Sequence, residues 1–198
     1  MKFSTVLSVC VFVFALSAFA QTGDAVFSQE YIKANVDGGV QAASLADDFI
    51  PALSGDFQYV VLWMCFTATP DSIFIEVSKD IGDMNPNTAT TLISGDLVPS
   101  IVATGDSLFN YPVNEVTLAF PSVTSVNAGE CYWLEVGTVT GSYWVYQDPV
   151  VFGTSMWNYV AGQYHRLSDA GKNWDSFFEL RAPVSLQRSS WGSIKASF

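Results

Sequence analysis

The stretch GECYWLEVGTVTGSYWVYQD, residues 129–148, gathers Tyr132, Trp133, Tyr143, Trp144 and Tyr146 into two short segments. Flat rings presented together can stack on the apolar face of a sugar while neighbouring polar groups bond its hydroxyls. Residues 131–137 and 142–147 read as paired strands. That pairing sets Val136 opposite Tyr143, Glu135 opposite Trp144 and Trp133 opposite Tyr146. Leu134, Val136, Tyr143 and Val145 are then expected to face inward, with Tyr132. Trp133, Trp144 and Tyr146 share the other face with Glu135, and Trp157 extends it into a candidate ligand-binding surface. The same rings can equally pack against the chain's own N-terminal segment or its Trp191 tail, because large aromatics are mostly buried.

Oxygen ligands concentrate in DIGDMNPN, where Asp80, Asp83, Asn85 and Asn87 fall within one turn. Such a set suits Ca²⁺. Tight turns select the same residue types for their local hydrogen bonds and tolerance of positive φ, and EF-hand spacing is absent. Asp47-Asp48 is a second candidate of the same kind. No other cofactor is indicated. Catalytic constellations are sparse: His165 is the sole histidine, which excludes multi-histidine zinc sites, and no G-x-S-x-G nucleophile motif occurs. Glu130 and Glu135 are close in sequence, but their odd spacing sends them to opposite faces of an extended strand. Phosphate loops and dinucleotide fingerprints are missing. No catalytic residues are assigned, and glycoside hydrolysis by some other carboxylate pair is the enzymatic alternative that stays open.

The elements that must hold these residues read as strands. Gln58–Thr67 contains the run YVVLWMCF, expected of a strand covered on both faces. Ser72–Lys79 alternates, with Ile73, Ile75 and Val77 on one face. Val113–Phe120 alternates with Val116, Leu118 and Phe120 inward, and Ser176–Arg181 with Phe178 and Leu180 inward. Turn-forming clusters separate them, and no sustained helical period appears. This pattern predicts an all-β fold, an antiparallel, jelly-roll-like β-sandwich in a single domain spanning residues 21–183.

Residues 1–20 read as an export signal, with Lys2, the apolar stretch Val6–Phe14 and the small-x-small site Ala18-Phe19-Ala20. The apolar run is short for a membrane span, and no transmembrane segment is expected once the signal is cleaved. The chain carries 8 basic and 19 acidic residues, a net charge of −11. That balance opposes binding to phosphate backbones, so nucleic acid is not an expected partner. Cys10 leaves with the signal, and Cys65 and Cys131 remain as an even pair in an oxidising compartment. They are read either as a disulfide or as two separate buried thiols. Residues 184–198, which carry Arg188 and Lys195 and no acids, form a C-terminal tail: a docked strand or a sorting element.

The order of several short motifs resembles a widespread β-sandwich domain of exported bacterial proteins: Ala46-Asp47-Asp48-Phe49, Pro70-Asp71-Ser72, the DIGDMNPN turn, Gly129 with Tyr132-Trp133-Leu134, Trp144 with Tyr146, and Phe177-Phe178. Tyr146 stands where that pattern has a second Trp, and the two cysteines are not part of it. The ending SSWGSIKASF is similar to WG-x-IK tails of other exported bacterial proteins. The resemblance implies that Trp144 and Tyr146 belong to a shared architecture, and it brings no catalytic residues. The expected function is that of a secreted, non-catalytic module at the cell surface or in the extracellular matrix, structural or adhesive, with a polysaccharide or a surface protein as partner. A carbohydrate-binding module using the aromatic face is the alternative.

Overall fold

Near-continuous apolar strands need cover on both sides, and the chain supplies it with two sheets and two surface straps. The computed structural model describes residues 23–41, 44–137, 140–148, 150 and 153–184; the expected signal and residues 185–198 of the tail lie outside the described residues. The strands are β1 (Ala25–Gln29), β2 (Gly38–Gln41), β3 (Leu45–Phe49), β4 (Gly55–Phe66), β5 (Ile73–Lys79), β6 (Thr90–Leu97) and β7 (Ser100–Leu108). They continue with β8 (Tyr111–Val126), β9 (Tyr132–Val136), β10 (Ser142–Gln147), β11 (Trp157–Val160), β12 (Gln163–Arg166), β13 (Asp175–Ser176) and β14 (Phe178–Arg181). Short 3-10 turns at 33–35 and 167–170 are the helical elements among the described residues. No helix there is long and apolar enough to cross a membrane.

All strand pairs are antiparallel, in an eight-stranded and a six-stranded sheet that pack as a β-sandwich. The larger sheet is built on β4, which pairs along its length with β8 on one side and with β14 and β10 on the other. The smaller runs β12-β11-β3-β9-β5-β6. Alternation holds strand by strand. Ile73, Ile75, Val77, Val116, Leu118, Phe120, Phe178 and Leu180 all enter the main core between the sheets, as their period of two requires.

The run YVVLWMCF shows why β4 lacks alternation. Val60, Leu62 and Met64 point into the main core, while Val61, Trp63 and Cys65 point to the opposite face. That outer face is covered by residues 31–36, with Tyr31 and Val36 packed on it. The Tyr31 ring stacks on Trp63 at 5.7 Å and meets Phe177 edge-on at 5.5 Å. Its hydroxyl donates to Asp106 on β7, and Lys33 pairs with the same carboxylate. Burial, then the Asp106 contact, drives the Tyr31 phenol well above its ordinary range.

Tyr31→Ala is therefore expected to unfasten this strap, lowering stability by about 2–4 kcal/mol in denaturant melts. It should also speed alkylation of Cys65 in the native state while leaving Cys131 unchanged. An unaltered Cys65 rate would show that the strap is held by something other than Tyr31.

Candidate functional site

The predicted aromatic surface does not form, because the two strands that carry it do not pair with each other. β9 lies between β3 and β5 in the smaller sheet, whereas β10 lies between β2 and β4 in the larger one. Leu134, Val136 and Tyr132 face the main core as expected, but so do Trp144 and Tyr146. Tyr143 and Val145 lie on the outer face of the larger sheet, the reverse of the expectation. Trp144 is 0 % exposed and donates its indole N–H to the Phe177 carbonyl at 3.1 Å. Tyr146 is half-buried and stacks on Trp174 at 4.2 Å.

Trp133 does point to the outer face of its sheet, yet it is 1 % exposed. It sits edge-on to Trp157 at 5.8 Å within a cluster completed by Ala46 and Tyr164. Trp157 is also buried, under the Arg166 guanidinium at 4.9 Å. The four proposed ligand-binding rings are thus parts of two separate packing clusters, and no shared platform exists.

What covers Trp133 is the DIGDMNPN turn, whose oxygens are engaged by the chain itself. Asp80 Oδ2 accepts from the Gly82 N–H at 2.6 Å, and Oδ1 accepts from the Asn85 N–H and the Trp133 indole, each at 3.2 Å. Asp83 accepts from the Thr88 hydroxyl, and Asn85 Oδ1 takes two donors from Asn87. Asn87 reaches β12, accepting from the Tyr164 N–H at 2.6 Å and donating to the Tyr164 carbonyl at 3.0 Å. Against the desolvation of its site, the donors from Trp133, Gly82, Met84 and Asn85 together hold the Asp80 carboxyl below its ordinary range. Asp80, Asp83, Asn85 and Asn87, set out as calcium candidates, are a turn that staples β5 to β12. Among the described residues no group of three or more His, Cys, Asp or Glu side chains is placed to hold a metal.

Cys65 and Cys131 are free thiols. Cys65 lies on the outer face of the larger sheet, and Cys131 lines a cleft with Asp80 and Met84 on the outer side of the smaller one. Packed sheets stand about 10 Å apart, and a disulfide needs Cα atoms within about 7 Å. The bridge is geometrically excluded by placement on opposite sides of the sandwich. Burial pushes Cys65 up to about 11, and burial with the Asp48 and Asp80 charges pushes Cys131 up to about 12, so neither is a thiolate near neutral pH.

Two groups of acids take places that residue order did not foretell: Asp47-Asp48, set out as a second oxygen-ligand candidate, and a cross-strand glutamate pair. Asp47 and Asp48 are adjacent on β3 and 0 % exposed, and they leave the strand on opposite faces. Asp47 faces the core and Asp48 the outside, where its Oδ1 accepts from the Thr154 N–H and hydroxyl, both at 2.7 Å. Gly153 makes that approach feasible: its φ is +59°, and a Cβ there would fall 1.8 Å from Asp48 Oδ2. Burial pushes Asp48 up to about 6.

The second group is Glu76 and Glu135, direct cross-strand neighbours on the outer face of the smaller sheet. Glu76 Oε1 accepts from the hydroxyls of Ser78 and Thr91 at 2.7 and 2.6 Å. Glu135 is raised by burial, an effect opposed by the Tyr164 hydroxyl and reinforced by the Glu76 charge. Like charges facing one another across a ladder are unfavourable, and carboxylates in unlike environments are the raw material of acid–base chemistry. A cleft to hold a substrate over them is what that chemistry requires in addition. The clefts found, of 490 Å³ beside Gly23 and Pro183 and of 530 Å³ beside Lys79 and Cys131, do not include the pair. Glu130, the other acid weighed in sequence, bonds Lys79, Asn127 and Tyr132. His165 is exposed on β12, opposite Asn158.

The perturbed acids predict a stability maximum in mild acid. Asp48 is raised from its ordinary 3.8 to about 6, so its folded form holds a proton the unfolded form loses, and stability falls as pH rises through that interval. The full effect is about 3 kcal/mol at the conversion of pKa to free energy. Glu130 is lowered from 4.5 to about 2 by Lys79, Asn127 and Tyr132, so its contribution is present above 4.5 and is lost on acidification toward 2. Thermal midpoints measured across pH should peak where these windows overlap, between 3.8 and 4.5. Asp48→Asn should flatten the limb above the peak.

No family model matches this chain, and no curated protein or solved structure matches it.

Proposed function

We infer that the protein is an exported, non-catalytic β-sandwich that serves at the cell surface or in the extracellular matrix as a structural or adhesive module. The export signal and the acidic balance support the location. The support for a non-catalytic role is that the candidate aromatic and oxygen-bearing residues are engaged in packing sheets and turns against one another.

The observation that carries an adhesive role is Phe109. β7 and β8 are joined by Phe109 and Asn110, with φ of 55° and 66°. This tight hairpin geometry demands left-handed backbone at both positions and favours Asn and Gly. Asn110 fits. A bulky residue at Phe109 is held there at a cost of roughly 1–2 kcal/mol. The ring is nevertheless 53 % exposed, propped against Tyr143 at 5.4 Å, with the exposed Tyr111 beside it. Strain retained for an exposed ring is better explained by a contact outside the molecule than by the fold. The partner is a surface protein or an extracellular polysaccharide.

A second reading, glycan binding, is favoured by Tyr159. It is 44 % exposed, meets Tyr164 edge-on at 5.0 Å and lies on the same sheet face as Glu135 and Glu76. Stacking of a sugar on one such ring with carboxylates alongside is a recognised mode of recognition.

Phe109→Asn is expected to keep stability within about 1 kcal/mol of the parent, as relieved backbone strain offsets the lost ring contact. Binding of the mature protein to intact cells or matrix preparations should fall at least severalfold. Tyr159→Ala should leave that binding intact and, on the second reading alone, abolish retardation in polysaccharide affinity gels. Hydrolysis of any member of a broad polymer and ester panel would overturn the non-catalytic assignment.

A further inference from the structure

Asp47 presents a charge problem that the fold must solve. Its carboxyl group is fully buried in the space between the sheets. One oxygen, Oδ2, accepts both the Ser176 backbone N–H at 2.7 Å and the Ser176 hydroxyl, tying β3 of one sheet to β13 of the other. The other oxygen, Oδ1, is buried with no hydrogen-bond partner. An ionised carboxylate oxygen in that position would have no donor from the protein, which is among the least favourable states a buried group can take.

None of the ion pairs among the described residues includes Asp47. The titratable groups around it are Asp48 on its own strand, Asp175 next to Ser176 on β13, Tyr146 opposite Ser176 on β10, and Tyr132 and Glu135 on β9, with Glu135 on the far face. Asp48 and Asp175 are both 0 % exposed. Lys172, before Asp175 in the chain, sets its ammonium over the Trp174 ring at 4.3 Å. A shared metal ion is not an available solution, since Asp47 and Asp48 leave β3 on opposite faces and no third ligand completes a set among the described residues.

We propose that Asp47 is kept as the neutral acid, with its proton on Oδ1, so that the β3–β13 contact is a proton-dependent latch. In this state Oδ2 remains the acceptor of both Ser176 donors, and Oδ1 carries a proton in place of an uncompensated charge. Burial first and the Asp175 charge second push the Asp47 carboxyl well above its ordinary range, against the Ser176 donors that lower it. The folded chain thus holds a proton that the unfolded chain releases. Stability from this contact is lost as pH rises toward the raised value. Loss of the proton adds a charge beside Asp175 and Asp48, which drives β13 from β3 and loosens the segment that stacks Trp174 on Tyr146.

The mature chain labelled with carbon-13 at aspartate carboxyls tests this directly. At about pH 7, where an ordinary aspartate is fully ionised, Asp47 should give a neutral-acid signal. Unfolding in weak buffer at that pH should release about one proton. Exchange of the Ser176 amide should accelerate with rising pH more steeply than base catalysis alone requires. Asp47→Asn, which keeps the shape and a donor without a charge, should release about one proton fewer and lose the extra exchange. A carboxylate signal from Asp47, or unfolding without proton release, overturns the latch, and both are read on the unaltered chain if the variant does not fold.

Discussion

The sandwich hangs together through one carboxyl group set across its interior. Sheet-to-sheet packing is otherwise apolar and without direction, and it would tolerate sliding by a fraction of a residue. Asp47 removes that freedom, because Ser176 offers both its backbone N–H and its hydroxyl to a single oxygen. β13 is only two residues long and pairs with β10 through Tyr146 and Gln147. Its position therefore depends on the cross-sheet bond as much as on its ladder. From β13 the chain runs into β14, which sits between β1 and β4, so the placement of the N-terminal strand follows from the same contact. Asp48, on the reverse face of the same strand, fixes the 153–154 turn that leads into β11. Adjacent acids thus organise both sides of one sheet, and this explains in physical terms why a pair of acids occupies a strand that is buried from end to end.

The rings follow a similar logic of internal employment. Tyr31 and Trp63 close the outer face of the larger sheet, and Trp133 with Trp157 fills the outer face of the smaller one beneath a turn. A sandwich usually leaves its outer faces to water. Here large parts of both are roofed by the chain itself, which gives a modest domain additional apolar burial and accounts for the high aromatic content.

Much of this was legible from residue order. Periods of two located the inward positions of β5, β8 and β14, and the unbroken run in β4 signalled cover on both sides. Partner choice was not legible. β9 and β10 are close in sequence and joined by a plausible turn, yet each pairs more favourably within a different sheet, and that reverses the facing of Trp144 and Tyr143. Alternation fixes which residues of a strand share a face, but not which face meets the core. The Glu76–Glu135 pair was hidden for the same reason, since only the order of strands within the sheet brings β5 beside β9. β6 and β7 carry mostly exposed side chains and so left no apolar stripe to read. The DIGDMNPN residues were legible as a turn, and their engagement with β12 explains why a set with the composition of a calcium loop serves as a staple.

Asn87 has a further consequence through the edge it covers. Tyr164 on β12 turns its N–H and carbonyl away from β11, toward the open side of the sheet, and the Asn87 side-chain amide meets both. An amide group standing in for a peptide group is a one-residue counterfeit strand. Any chain seeking to extend the smaller sheet from that side must first displace it, whereas β6 at the opposite end pairs, among the described residues of its sheet, only with β5. The sheet is thus blunted at one margin and open at the other. Growth of this sheet by strand addition would have a single permitted direction.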